Sequence, residues 1–370
     1  MQHDYAIIGG GVVGLSIAYG LMRLGHRVLV LDEGDMGLRA SRGNFGLVWV
    51  QTKGLNAPGY AMWSRRSAEL WQDFAAELTG TTSNAMGLQQ DGGYDFHLSE
   101  TDLDAKIAQH TALRDALGGD HPFEVIGHNT LRREEPHIGS RVVGAIYGPK
   151  DGHVNPLRLL KTLAERNTEQ GVRLKTGYHV NTIDPISTGG YRIRASQEIF
   201  EAEKVILCAG LGSATLGPQL GLDANIRPQR GQVMITEKIA PLLNRPSTFI
   251  RQVDEGGIQI GDTKEEVGFN DSVALETLSF LSQRAATVFP ALANARIVRT
   301  WAALRVMSAD GLPIYQHSRS HPGAYLVTCH SGVTLAAAHA RLVPLWLDAQ
   351  PGAPDLEGQS THRFANRMLN

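Results

Sequence analysis

Cysteine is almost absent from this sequence: Cys208 and Cys329 are the only two in 370 residues. That excludes a disulfide framework and a CxxC metal or redox pair, so a zinc or iron–sulfur centre would have to come from another chain. Long apolar runs are missing as well. No stretch approaches the roughly 18 to 20 consecutive apolar residues of a membrane span. Met1-Gln2-His3-Asp4 lacks the basic start of a secretion signal, and a cytoplasmic location is expected. Neither sign of charge is in excess, with a formal net charge of -2 and a pI of about 6.7. The densest cationic pairs, Arg65-Arg66 and Arg132-Arg133, are diluted by nearby acids. A nucleic-acid binder needs a basic stripe, so that class is not expected. Internal repeats are lacking too. What remains is ordinary globular composition, 42% apolar and 19% charged. The chain is too long for one compact core, and two intertwined domains are expected.

The first fifty residues carry the most information. Tyr5-Ala6-Ile7-Ile8 is an apolar run suited to a buried parallel strand. Gly9-Gly10-Gly11-Val12-Val13-Gly14 follows, then a helical stretch from Leu15 to Leu24 that Gly25 stops. Arg27 to Leu31 reads as a second buried strand, ending at Asp32. Strand, glycine turn, helix, strand and acid is the dinucleotide-binding order. Gly9 allows the tight turn, Gly11 lets backbone approach a pyrophosphate, and Gly14 lets helix pack on strand. The helix N-terminus, with Val12 and Val13, offers N–H groups to phosphate. Asp32 is placed to accept ribose hydroxyls; strand alternation turns Glu33, the neighbouring candidate, to the other face. The motif alone leaves open whether the dinucleotide is FAD or NAD.

This motif, with the loop Met36-Gly37-Leu38-Arg39-Ala40-Ser41-Arg42-Gly43-Asn44-Phe45-Gly46, resembles the glycine oxidase, sarcosine oxidase and D-amino-acid dehydrogenase family of flavoenzymes. Ser41 to Lys53 is most similar to the flavin subunits of opine oxidases and hydrogen cyanide synthase. The resemblance implies FAD, with Arg39, Ala40 and Ser41 meeting phosphate and Asn44, Phe45 and Gly46 approaching the flavin ring. Without it, Arg39 and Arg42 read equally well as a solvated loop. It further implies that Val180 meets the adenine through its backbone. The strand Lys204 to Cys208, closing on Ala209-Gly210, would be a second FAD-contacting strand end. The block Trp301 to Pro313 resembles the region where relatives fork an arginine onto the substrate carboxylate, which makes Arg305 the candidate. Leu326 to Leu335 resembles the turn beside the flavin pyrimidine, with Ser331, Gly332, Val333 and Thr334 as cofactor contacts. His330, in the same turn, is the one histidine proposed as a base.

The fold this implies is α/β: a Rossmann-like FAD-binding domain interleaved with an α+β substrate domain built on a mixed sheet. Segments 1–85, 141–220 and 300–370 are assigned to the first, and 86–140 and 221–299 to the second. Val142 to Tyr147 reads as the chain's return to the FAD-binding domain. His153 reads as a loop residue, Cys208 as a buried inert thiol, and the Trp63/Trp71 pair as helix packing. The expected function is oxidation of an amine or amino acid by hydride transfer to flavin. The substrate would be an opine or N-alkyl amino acid, or a D-amino acid or glycine. A FAD-dependent 2-hydroxy-acid dehydrogenase, and a flavin subunit active only within a larger assembly, are the alternatives. No metal is expected. Some sarcosine oxidases tether FAD through a cysteine in the region matching 301–310; none stands there, so the FAD is expected to be non-covalent. Their oxygen-activating lysine aligns with Gln259, so electrons are at least as well expected to pass to a partner subunit or carrier.

Overall fold

The computed structural model describes residues 2–34, 39–80 and 83–365. Met36, Gly37 and Leu38 of the loop after the second strand lie outside the described residues. The chain begins with β1 (His3–Ile8), α1 (Val12–Arg23), β2 (Val28–Asp32), β3 (Leu47–Val48) and α2 (Pro58–Thr79). It continues with β4 (Gly93–His97), α3 (Glu100–Ala116), β5 (Glu124–Gly127), α4 (His128–Glu134), β6 (Gly144–Gly148) and β7 (Gly152–His153). Then come α5 (Pro156–Glu169), β8 (Arg173–Thr176), β9 (Val180–Pro185), β10 (Tyr191–Ala195), β11 (Glu198–Leu207) and α6 (Ser213–Leu216). The last third holds β12 (Ile226–Lys238), β13 (Ile250–Gln252), β14 (Gly257–Ile260), α7 (Leu275–Val288) and β15 (Ile297–Ser308). It closes with β16 (Ile314–His317), β17 (Ala324–Thr328), α8 (Ala336–Arg341), α9 (Val343–Leu347) and α10 (His362–Ala365).

An eight-stranded mixed sheet runs β16-β17-β11-β1-β2-β8, with β10 and β9 continuing from β11. Its centre is parallel, β1 between β11 and β2. A strand with layers on both faces should be apolar throughout, and β1 and β2 are. Alternation then divides their side chains. Tyr5, Ile7, Val28 and Val30 enter the core shared with α1, α2, α5 and α8. Ala6, Ile8, Leu29 and Leu31 enter the core on the other face, with β9, β10 and Phe200. Each large apolar side chain so enclosed is worth about 1.5–3 kcal/mol. Helix ends follow local rules. Pro156 starts α5, and the Asn155 side chain accepts from the amides of Leu157 and Arg158.

A second body is built on two antiparallel sheets, β13-β14-β12-β15 and β4-β6-β5. An isolated parallel bridge between Tyr94 and Ser247 joins them, so the combined surface is mixed. Tyr94, Phe96, Met234, Phe249, Leu281 and Phe289 form its core under α7.

Strand pairing departs from the expected segment boundaries in two places. Gly144–Gly148, read as the return of the chain to the nucleotide-binding unit, pairs with β4 and β5. Ile297–Ser308, placed mostly in the FAD-binding segment 300–370, pairs along its length with β12. Both strands show apolar residues at the right period, but period carries no information about which sheet a strand joins. His153 is also not a loop residue. It lies buried on β7 opposite Leu47, its ring between Gln89 Oε1 at 3.0 Å and Arg251 Nη1 at 2.8 Å. The reading of Trp63 and Trp71 as packing residues agrees with their positions: their indole N–H groups donate to Tyr315 Oη and to the Thr334 carbonyl.

Candidate active site

The glycine turn is shaped by close backbone approach. Gly9 has φ +111°, a conformation that L side chains rarely adopt, and a Cβ there would lie 2.3 Å from the Cys208 carbonyl. A Cβ on Gly14 would lie 2.0 Å from the Gly9 carbonyl, so only glycine lets α1 sit down on the turn. The N-terminus of α1 has no side-chain cap and no acid in its first turn. Its leading amides lack intrahelical acceptors, which suits an anion supplied from outside. The amide of Val12 meets Ser41 Oγ at 3.0 Å, which brings the 39–46 loop to the turn.

Asp32 ends β2 beside that turn. Its carboxylate accepts the Gly10 amide at 2.7 Å and the Gly34 amide at 2.9 Å. A carboxylate has about four acceptor sites, so room remains for a hydroxyl donor. Glu33 points elsewhere, to His179 at 2.9 Å and to Arg39. These two expected cofactor contacts, Glu33 and Arg39, therefore answer each other's charge at the surface. Val180 opens β9 close to the end of β2, since the nearby Tyr178 amide bonds the Asp32 carbonyl at 2.8 Å. Ala209 and Gly210 follow β11 directly behind Gly9, and the Cys208 amide bonds the Ile8 carbonyl at 2.8 Å. Burial pushes the Cys208 thiol well up, which fits an inert thiol. The fourth segment, Ser331 to Thr334, lies against the start of α1: a Cβ on Gly332 would be 2.8 Å from the Val12 side chain. Thr334 accepts the Trp49 amide at 3.1 Å and donates to the Leu47 carbonyl at 3.2 Å. An uncapped helix, an acid at the second strand end and loops from four segments at one edge fit an extended dinucleotide such as FAD.

From there a cavity of about 790 Å³ runs toward the second body. Ala40, Asn44, Phe45, Ser331, Val333 and Thr334 line it on the side of the nucleotide-binding body, and the Phe45 ring reaches Gly261 of the second body. Asn44 shapes its own loop, its side-chain oxygen accepting the Gly46 amide at 2.7 Å. Arg305 lines the far wall from β15. Its guanidinium lies over Gly231, where a Cβ would be 2.7 Å away, and Nη1 donates to the carbonyls of Thr263 and Arg230. The nearest acid in sequence, Asp310, is held by Arg363 at 2.9 Å. Arg305 is thus anchored by backbone carbonyls and makes no ion pair among the described residues. Gln259 is buried on β14 and is not part of the cavity wall.

The surroundings of His330, the candidate base, weaken its basicity. A proton acceptor works best with a pKa near the operating pH. Burial, and then the charges of Lys53, Arg305 and Lys264, hold the His330 imidazole well below its ordinary range. Its Nε2 faces Lys53 Nζ at 3.2 Å and Ser331 Oγ at 3.3 Å. The ring is a neutral acceptor for a lysine that sequence reasoning passed over. Burial pushes that amine, Lys53, down to about 8 against the opposing charge of Asp262.

Lys53 reaches the cavity because the loop before it is tied down. Asp151, fully buried, accepts the amides of Val50 at 2.5 Å and Gln51 at 3.2 Å, and Gln51 Nε2 at 2.6 Å. The Trp49 indole closes the loop onto Thr52 Oγ1 at 3.1 Å. Burial pushes the Asp151 carboxyl up to about 7. Asp262 and Lys264, from the turn after β14, also face the cavity. Nothing in their local sequence marks Lys53, Asp151 or Asp262; the acids and lysines of loops are usually solvated. The Trp49 to Lys53 stretch was visible only as part of a resemblance.

Known proteins of similar shape and sequence complete the picture. A family model described as DAO, FAD dependent oxidoreductase, matches residues 4–344. An opine oxidase subunit of Agrobacterium tumefaciens (strain Ach5) is 43% identical over 98% of this chain and 97% of its own. Hydrogen cyanide synthase subunit HcnC of Pseudomonas protegens is 27% identical over 98% and 97% of the two chains. Among solved structures, glycine oxidase from Geobacillus kaustophilus superposes with a TM-score of 0.86 at 26% identity, covering 97% of this chain and 98% of its own. This chain belongs to the DAO family of FAD-dependent oxidoreductases.

Proposed function

We propose that this enzyme oxidises an amine or amino acid, first of all a secondary amine acid such as an opine or an N-alkyl amino acid, with glycine or a D-amino acid as the next choice. The observation that supports this most is Arg305, a cation anchored on backbone carbonyls, facing the cavity without a carboxylate of its own. A guanidinium so placed offers two parallel donors to a substrate carboxylate. FAD, held non-covalently along Gly9 to Gly14, Asp32, Ala40 to Gly46 and Ser331 to Thr334, supplies the hydride acceptor when bound. The chain's own part is to orient the substrate Cα–H by its carboxylate and to enclose it away from water. No base is required if the amine arrives unprotonated.

Relatives named as parts of larger enzymes, the opine oxidase subunit and HcnC, support a second element: electrons leave this chain through partner subunits in a hetero-oligomer. The test is an anaerobic absorbance titration of the FAD-loaded chain with opines, N-methyl amino acids, D-amino acids and 2-hydroxy acids. Bleaching by an amine with release of ammonia or a primary amine is expected. Bleaching by hydroxy acids alone would overturn the reading, and bleaching by amines that is not reversed by air would support an acceptor other than oxygen.

A further inference from the structure

The cavity wall carries an excess of positive charge. Lys53, Lys106, Lys264, Arg284 and Arg305 face it, against the carboxylates of Asp95, Asp102 and Asp262. Several enclosed arginines elsewhere in the chain hold an acid: Arg230 pairs with Glu265 at 2.7 Å, Arg341 with Glu77 at 2.6 Å, and Arg363 with Asp310 at 2.9 Å. None of the five cavity cations makes an ion pair among the described residues. Arg284 instead lies over the Phe249 ring at 3.9 Å, Arg305 bonds carbonyls, and Lys53 bonds a neutral imidazole. Lys264 is exposed to solvent, but Lys53, Arg284 and Arg305 are largely withdrawn from water, with Asp262 as the one carboxylate that opposes all three. Cations so placed are costly, so a ligand that brings further negative charge is favoured.

The two most enclosed of these cations come from different parts of the chain. Lys53 comes from the loop after β3, and Arg305 from β15. Asp262, Lys264, Arg305, Cys329 and His330 are the titratable and charged groups that face the Lys53 amine. Asp262 is the one carboxylate among them, and it stands in the left-handed region at φ +69° in a turn shared with Lys264. The pyrophosphate of a dinucleotide belongs at the N-terminus of α1 and does not answer this charge. A secondary amine with two carboxylates carries two negative charges once its nitrogen is unprotonated, which matches the excess of five cations over three carboxylates.

We propose that Lys53 anchors a second carboxylate of the substrate while Arg305 holds the first, so that Lys53 is the residue that sets a preference for secondary amines with two carboxylates, as an opine has, over those with one. This rests on the reading of the cavity as an amine-oxidising site and narrows its substrate class. His330 then acts as the acceptor that aims the lysine when no substrate is present. A monocarboxylic amine would leave Lys53 facing an imidazole alone.

The test uses the FAD-loaded chain and two unreactive probes, thiodiacetate with two carboxylates and methylthioacetate with one. Binding is read from the change in flavin absorbance, and sulfite affinity reports positive charge beside the flavin pyrimidine. Lys53→Met is expected to weaken thiodiacetate on the order of 30- to 100-fold. Methylthioacetate and sulfite should change by less than about 3-fold. Lys53→Arg, which keeps the charge, should keep most of the preference for two carboxylates and also serves if the methionine variant folds poorly. Equal weakening of both probes, or of neither, overturns the proposal. A fall in sulfite affinity without loss of discrimination also overturns it and assigns Lys53 to the flavin. Wild type reduced by no amine would sink the amine reading itself; wild type reduced by amines with an indiscriminate Lys53→Met would sink only this inference.

Discussion

The two ends of the cavity are built by different means. At the nucleotide end, backbone does the work: Gly9, Gly11 and Gly14 shape a turn, and helix α1 presents leading amides that lack intrahelical acceptors. Its turn, helix and ribose-side acid follow one another directly in the chain, and their spacing is set by a strand and a helix of ordinary geometry. At the substrate end, side chains do the work. Lys53, Asp262, Arg305 and His330 come from four separated segments and meet only because β15 pairs with β12 and the 49–52 loop hangs on Asp151. The first end should therefore fail through backbone collision, and the second through loss of charge or its positioning.

The largest effect is expected from Gly14→Val. Its branched side chain would press on the Gly9 carbonyl, where even a Cβ would be 2.0 Å away. A loss of more than about 3 kcal/mol and a chain that does not retain FAD are expected, read by thermal unfolding and flavin content. Normal FAD content in that variant would erase the contrast between the two ends. Next is Arg305→Met. FAD content should be unchanged while kcat/KM for a carboxylated amine falls on the order of 100- to 1000-fold, with an amine lacking a carboxylate affected far less.

A third prediction concerns the support beneath Lys53. The Asp151 carboxyl is raised in the folded chain to about 7, above its unfolded value of 3.8. The sign follows: its contribution to stability is complete below the unfolded value and is lost as pH rises through the folded one. Asp151→Asn should flatten that decline between about pH 4 and 7, an effect of up to about 4 kcal/mol. Glu135 is raised to about 7 by burial as well, so part of the slope should persist. Denaturant unfolding across pH checks this, and an unaltered profile would remove Asp151 from the account. The smallest effect is expected at Glu33. Glu33→Ala should change FAD affinity less than about 3-fold and stability by under about 0.5 kcal/mol, because its exposed partners compete with water. Asp32→Ala, by contrast, should weaken FAD binding at least about 10-fold. Equal losses at the two positions would mean that ribose recognition is shared.

How legible each part was follows from the same distinction. The order of strand, turn, helix, strand and acid could be read because each step obeys a local rule, and helix boundaries such as Pro156 followed capping chemistry. Val142 to Tyr147 was recognisable as a strand and Trp301 to Pro313 as a block resembling relatives, but the strands they pair with were not. A β-strand declares its period and its buried face, not its neighbour. His153 read as a loop residue because Gly152–His153 is too short a strand to show a period. Arg305 could be named through a resemblance, whereas its lack of an acid partner could not. Asp310, five residues on, was an alternative partner, and only the structure shows that Arg363 holds it. Lys53 was invisible in principle: one lysine in a loop has no pattern.

The sequence by itself determined that the chain is an α/β protein with a dinucleotide turn near its start, because glycine stereochemistry and apolar alternation act over short distances. It also carried the family, because three separated blocks keep their order. Only the tertiary structure decided which charges face one another in the cavity, that burial and neighbouring cations hold the His330 imidazole low, and that Lys53 faces the same cavity as Arg305. Those properties depend on desolvation and on distances between groups far apart in the chain, and neither quantity exists until the chain has folded.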